Sequence, residues 1–551
     1  MNYKIKNGLV VDPTQNLNLV QKDLFIKNGR LVSHFEFSDK YKEIDCKKMV
    51  VMAGGIDLHT HIGGGKTNLS RLLMPEDHTL NQIHSNSLEI QSCGHITPGT
   101  IQTGRRYTEM GYTAAFEPAM IFSNARQAHM EMGDTPILDH GAYVMLGNDE
   151  LFLELLAKNK SHEMIRDYIG WTMNACKAMG VKVVNPGGIS AFKFNQRKLE
   201  VDSKHCHWEV TPRQILNELA TCITELGVPH PLHIHASNLG VPGNIESTIN
   251  TIDALEGLPG HLTHVQFHTY GTEGERKFSS AARLLVEKLK KTPNITIDVG
   301  QIIFGQTVTA SGDIMKQHAN SSFSSPKKWI IGDIECDGGC GVVPFKYREQ
   351  SFVNALQWAI GLEIFLLMDD PWRVVLTTDH PNGGPFTSYP HLIKLLMDSS
   401  FREEQLSRLH PDVFEHTDLR YIKKELTLYD IAVMTRAAPA KILGLENYGN
   451  LRVNSAADIS IYPLIKDKEE MFKSPKYVFK DGNLVCQGGK IIQVPVGGVH
   501  FVDTKYDSNI KKYIAKFYEK NLASKFSNSE IDKQELSVCS NGGRILVNPS
   551  I

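Results

Sequence analysis

The chain has 551 residues, 41% hydrophobic and 22% charged, which is room for a barrel-sized domain plus a smaller one with a core that needs no disulfide staples. Its formal net charge of −2 gives no general pull toward nucleic acid or anionic lipid, so the expected partner is a small molecule or another protein. The start MNYKIKNGLVVD lacks the apolar core of a secretory signal and no run of about 18 uncharged apolar residues follows; with nine scattered cysteines and no C-x-x-C, this predicts a cytoplasmic chain away from membranes.

Residues 1–54 read as short strands, YKIKNGLVVD, DLFIKNGRLV and KKMVVMAGG, with Asn-Gly pairs where hairpins would reverse. Similar strands return in NLRVNSAADISIYP and KYVFKDGNLVCQGGKII, so residues 1–54 and 440–500 are expected to form one composite β-sandwich domain.

DLHTHIGGGKTNLSR, residues 57–71, offers two readings. A phosphate loop needs a glycine five positions before the glycine of Gly-Lys-Thr, and that position is Thr60, so the phosphate reading fails. The other reading is His59 and His61, two apart on a strand end and therefore facing the same side.

From residue 55 to 439, apolar strand-like runs alternate with helical stretches: GGIDLHTH, GYTAAFEPA, GAYVMLGN, GVKVVNPGG, HPLHIHASN, HLTHVQFHTYG, NITIDVGQ and WRVVLTTDHPNGG. Eight such units predict an α/β fold, a (β/α)8 TIM-like barrel, whose chemistry sits at the C-terminal strand ends. The stretch TVTASGDIMKQHANSSFSSP is expected as a long loop, REQSFVNALQWAIGLEIFLLM as a helix, and residues 501–551 as a polar tail that is packed on a neighbour or partly disordered.

Metal-ligand types recur at those strand ends in barrel order. His235 ends PLHIHASN with His233 deeper; His268 ends LTHVQFHTYG with His264 deeper; Asp379 follows VVLTT, where a carboxylate can ligate a metal and accept a proton. Which histidine of each pair ligates stays open. Lys182 alternates with Val181 and Val183 and points into the barrel, where burial drives its amine toward the neutral form that can take up carbon dioxide as a bridging carbamate; Lys193 is the fallback.

The ordered set of H-x-H, strand-four lysine, two histidines and a final aspartate resembles the amidohydrolase superfamily. Within it, GGIDLHTHIGGGKTNLSRLLMPEDH, VKVVNPGG, HIHASNLG, VQFHTYG and QWAIGLEIFLLMDDPWRVVLTTDHPNGGPFTSYP resemble the family formed by the alpha-type subunits of formylmethanofuran dehydrogenase and of the formyltransferase/hydrolase complex. The resemblance implies a binuclear zinc site of His59, His61, carboxylated Lys182, His235, His268 and Asp379, with Asp379 also the catalytic base. It implies hydrolysis of formylmethanofuran or an analogue to formate and free amine, within a multisubunit complex of one-carbon metabolism. Lys66, Asn68 and Arg71 are candidates to meet a polar or anionic part of the substrate. Three alternatives remain: an archaeal-type dehydrogenase component condensing formate with methanofuran, a dihydropyrimidinase-like cyclic amidase, and a non-catalytic scaffold with structural metals.

Overall fold

The computed structural model describes residues 1–78, 94–196, 198–312, 314–332 and 340–550. Five strands open the chain: β1 (Asn2–Asp12), β2 (Leu17–Lys27), β3 (Arg30–Val32), β4 (Tyr41–Asp45) and β5 (Met49–Ala53). The two Asn-Gly pairs behave differently. Asn28 and Gly29, both at positive φ, reverse the chain between β2 and β3 as expected. Asn7, at φ 62°, instead forms a bulge inside one long strand, where the β1–β2 register shifts between Ile5 and Gly8.

The barrel follows. Its strands are β6 (Gly55–Asp57), β7 (Tyr112–Met120), β8 (Asp139–Met145), β9 (Gly180–Val184), β10 (Leu232–His235) and β11 (Gly260–Leu262). A minor hairpin, β12 (Tyr270–Gly271) and β13 (Ser279–Ser280), precedes β14 (Ile295–Asp298). Then β15 (Gly305–Ser311), β16 (Ile330–Gly332) and β17 (Cys340–Tyr347) stand apart from the barrel, and β18 (Val374–Val375) completes it. Neighbours pair in parallel in the order β6, β7, β8, β9, β10, β11, β14, β18. A parallel bridge between Thr60 and His380 joins the two edges, with His61 N–H donating to the His380 carbonyl at 2.9 Å. Strands covered on both faces need unbroken apolar runs, and every residue of β7, β8 and β9 is buried.

The remaining strands are β19 (Ile459–Pro463), β20 (Tyr477–Lys480), β21 (Asn483–Gln487), β22 (Lys490–Ile491), β23 (Val499–Asp503) and β24 (Ile545–Pro549). β19 pairs antiparallel with β5, Ser460 opposite Met52, which fuses β1–β5 and β19–β22 into a single nine-stranded sheet from both chain ends.

Two stretches differ from expectation. Residues 307–326 carry β15 and the helix Ile314–Asn320 and join β16 and β17 in a three-stranded antiparallel sheet. Val308, Ala310 and Val342 bury one face of it against Leu73 and Met74, so the polar residues of the sequence are only its other face. The segment after residue 500 is likewise folded: β23 and β24 pair with each other and reach β8 through Val499 and His140. Between them the helix Ile510–Asn521 buries Ile510, Ile514, Phe517 and Tyr518, one helical stripe that a high Lys and Asn content masks. Among the described residues no helix is long and apolar enough to cross a membrane.

A buried ion cluster ties the three parts together. Lys480, 1% exposed, lies 2.8 Å from Asp139 of β8, 3.0 Å from Asp458 and 2.8 Å from Asp481, while Arg544 reaches Asp139 at 3.2 Å. Removing one partner of a buried pair strands the others, so Lys480→Met should lower the unfolding free energy by about 3–5 kcal/mol in urea titration. A loss below about 1 kcal/mol would mean the carboxylates find other partners.

Candidate metal centre

The sequence just past β6 aims two imidazoles into the barrel. His59 N–H donates to Asp57 at 3.1 Å, and Thr60 is fixed by its bridge to His380. Each ring is then held from behind by a carboxylate: His59 Nδ1 donates to Asp298 at 2.9 Å, and His61 Nδ1 to Glu117 at 2.8 Å. Glu117 is anchored in turn by the N–H groups of Ile62 and Gly63 at 2.8 and 3.2 Å. With Nδ1 carrying the proton, Nε2 of each ring presents a lone pair. Both lone pairs face Asp379 Oδ1, at 3.0 Å from His59 and 3.5 Å from His61. Two acceptors aimed at a carboxylate oxygen in a dry site need a cation among them, and this donor set fits a divalent metal.

Burial by itself would lower the His59 pKa, but the carboxylates of Asp298 and Asp379 outweigh it and raise it to about 9. Burial would raise Asp379, yet His59 and His264 hold its carboxyl well below the usual range. Asp379 stands at φ 50°, and its second oxygen accepts from Asn382 Nδ2 at 3.0 Å.

Lys182, 3% exposed in the middle of β9, reaches within 3.4 Å of His59 Nε2. Burial pulls its amine down to about 8, so a sizeable neutral fraction exists near neutrality. Lys193, the fallback, ends the helix Gly188–Lys193 and is not among the residues lining the cavity above the centre.

The strand-five and strand-six histidines form a second group. Ligand atoms of His235, His264 and His268 lie within 4.8 Å of one another, and so do those of His59, His264 and Asp379, which makes His264 common to both. The expected strand extends to His268, but β11 stops at Leu262. His264 takes a left-handed turn, φ 36°, and its N–H donates to Asp298 at 2.8 Å. That turn, not strand alternation, carries His264 to the mouth and leaves His268 at the end of a 3-10 turn beside it. Burial lowers His264 to about 3 and His235 well below its usual value, so both rings are neutral and able to ligate. His233 faces the floor: its Nε2 lies 3.1 Å from His59 Nδ1, and its Nδ1 lies 3.0 Å from His230 Nε2. His59, His233 and Asp298 form a third group with ligand-type atoms within 4.8 Å.

Above the centre opens a cavity of about 910 Å³, into which His61, Lys66, Lys182, His235, His264 and Asp379 all project. Thr309, Gln317, Phe345 and Tyr347, from the three-stranded sheet and its helix, supply much of the opposite wall. Of the three proposed substrate contacts, only Lys66 lines this cavity. Asn68 Nδ2 donates to Glu131, and Arg71 is spent on the carbonyls of Pro98 and Ile62 at 2.9 and 3.1 Å, because the first turns of the helix Gly65–Leu73 pack against the barrel wall. Asp298 and Glu117, which orient the H-x-H rings, are not among the candidates drawn from sequence; the readable signal is an acid at or near the end of an otherwise apolar strand.

An amidohydrolase family model matches residues 42–486 of this chain. The chain is 40% identical over 514 residues to the alpha-type subunit of the formyltransferase/hydrolase complex Fhc of Methylorubrum extorquens, covering 92% of each protein. It is 37% identical over 535 residues to protein FwdA of Methanocaldococcus jannaschii, covering 94% of this chain and 93% of that one. It also resembles a chain in the crystal structure of the FhcABCD formyltransferase/hydrolase complex from Methylorubrum extorquens with methylofuran, at a TM-score of 0.95 and 38% identity over the full length of both.

Proposed function

Because this chain belongs to the amidohydrolase family, we propose that its barrel mouth hydrolyses a linear N-formyl amine of the methanofuran type to formate and free amine, as one component of a formyltransferase/hydrolase assembly. The observation that carries this reading is the convergence of His59 and His61 Nε2 on Asp379 Oδ1 at the floor of the cavity. Similarity to the Fhc relative across 92% of the chain supports the partner subunits, and the methylofuran in the similar FhcABCD complex supports the substrate class.

His59, His61, Lys182 and Asp379 would hold one ion, and Lys182, His235 and His264 a second, with His268 beside it. Zinc matches this nitrogen and oxygen donor set. Bound there, two divalent cations would supply the positive charge that lets water ionise near neutral pH and that polarises a formyl oxygen. Lys182 would serve as its carbamate: the neutral amine adds to carbon dioxide, a C–N bond forms and one proton leaves. The resulting anion is one that a buried ammonium is not. Glu117 and Asp298 keep both H-x-H rings in the ligating tautomer. Asp379 takes the proton of the attacking water and delivers it to the departing nitrogen, which leaves as the amine when the C–N bond breaks. The same groups, run backwards, would condense formate with the amine.

Purified with its partners, the chain should contain two divalent ions and release formate from a formylmethanofuran-type substrate, and a chelator should abolish that release. A preparation with all ligands intact but no bound metal, or one with bound metal and no formate release, would refute the reading.

A further inference from the structure

We infer that Lys66 is the cationic seat of a small-carboxylate subsite in the barrel mouth, and that its occupant is the one-carbon product formate. The identity of the occupant rests on the hydrolytic reading; the anion site rests on geometry.

Lys66 is 6% exposed and lines the cavity with His61, Lys182 and Asp379. Among the described residues, its Nζ meets Met145 Sδ at 3.6 Å, a weak acceptor. Lys480, another buried lysine, is treated differently: three carboxylates meet it at 2.8–3.0 Å. Glu117 and Asp379 act on the Lys66 amine only from a distance and do not offset its burial, and the residue also sits in the first turn of the helix Gly65–Leu73, where the helix dipole disfavours positive charge.

The surrounding chain is shaped to hold it there. Gly64 N–H donates to Glu131 at 2.7 Å and Gly65 N–H to Asn124 at 3.2 Å. A Cβ on Gly63 would meet Met132 Cγ at 2.9 Å, and Gly64 needs φ 94°. The three glycines therefore press the loop onto the wall of the barrel, and the next side chain turns into the cavity. Among the described residues no carboxylate contacts this buried amine, and in a cavity where a carboxylate is produced that carboxylate can supply the contact.

The test titrates carbon-13 formate into the metal-loaded full chain and follows its line width. In Lys66→Met the formate dissociation constant should rise at least about tenfold, and in Lys66→Arg it should stay within about threefold of wild type. Unchanged formate binding in Lys66→Met overturns the inference, as does loss of bound metal from that variant, which would make Lys66 a support for the centre or for a carboxylate fixed on Lys182. Should Lys66→Met not fold, the wild-type chain decides: formate should slow labelling of Lys66 by trinitrobenzenesulfonate, mapped by peptide mass, and equal labelling with and without formate overturns the assignment. Lys66-dependent formate binding without any formyl-amine hydrolysis would remove the hydrolytic reading and leave the anion site standing.

Discussion

Asp379→Asn should cut formate release by about three orders of magnitude, with the variant still folded and still assembled with its partners. Asparagine is the informative replacement because residue 379 sits at φ 50°, a conformation asparagine adopts readily and alanine does not. The amide keeps the size of the side chain and loses both its charge and its ability to take a proton. His59 and His61 then face a neutral group where an oxyanion stood 3.0 and 3.5 Å away. A scaffold with structural metals predicts the opposite pattern, full assembly and full activity of the complex. Activity within about tenfold of wild type would remove Asp379 from the proton-transfer role.

The second large effect concerns Lys182. Lys182→Met removes the proposed bridging anion while filling the same buried volume, and bound metal should fall from two ions to one or none per chain, with activity falling by about three orders of magnitude. A more selective experiment leaves the chain unaltered. After chelation, metal is returned in buffer stripped of carbon dioxide or in buffer containing bicarbonate. Recovery should need the bicarbonate, and its rate should climb as pH passes upward through about 8, since the reactive species is the neutral amine and burial holds the Lys182 pKa near that value. Equal recovery without carbon dioxide would show that Lys182 serves as a plain amine or not at all.

The legibility of this centre in sequence followed the regularity of the backbone. His59, His61, Lys182 and His235 lie on or next to strands, where alternation tells which way each side chain points, and the structure brings them to one rim. His264 and His268 lie beyond β11, where one left-handed residue cancels the alternation; no period-two rule could rank them. Glu117 lies within β7 and Asp298 ends β14, so each shows only as a single acid in an apolar strand, a signal too sparse to mark it as the carboxylate behind a ligating ring. The sheet β15–β17 and the helix Ile510–Asn521 were concealed by composition: each is half polar because half of it faces solvent or the cavity. Asn7-Gly8 carried a hairpin's signature and makes a bulge, because β1 continues to pair with β4 and β5 on its far side.

The two sheets are each completed by chain from far away. Gly498 donates its N–H to Asp139 across 359 positions, and Leu451 donates to Asp12 across 439. Contacts of such separation cost loop-closure entropy before they return any stability, so refolding from denaturant should be slow and its final phase should be the docking of these distant segments. During biosynthesis β5 and the first residues of β8 wait with an unpaired edge until β19 and β23 emerge, an interval in which such edges can pair with other chains and in which a chaperone would help most.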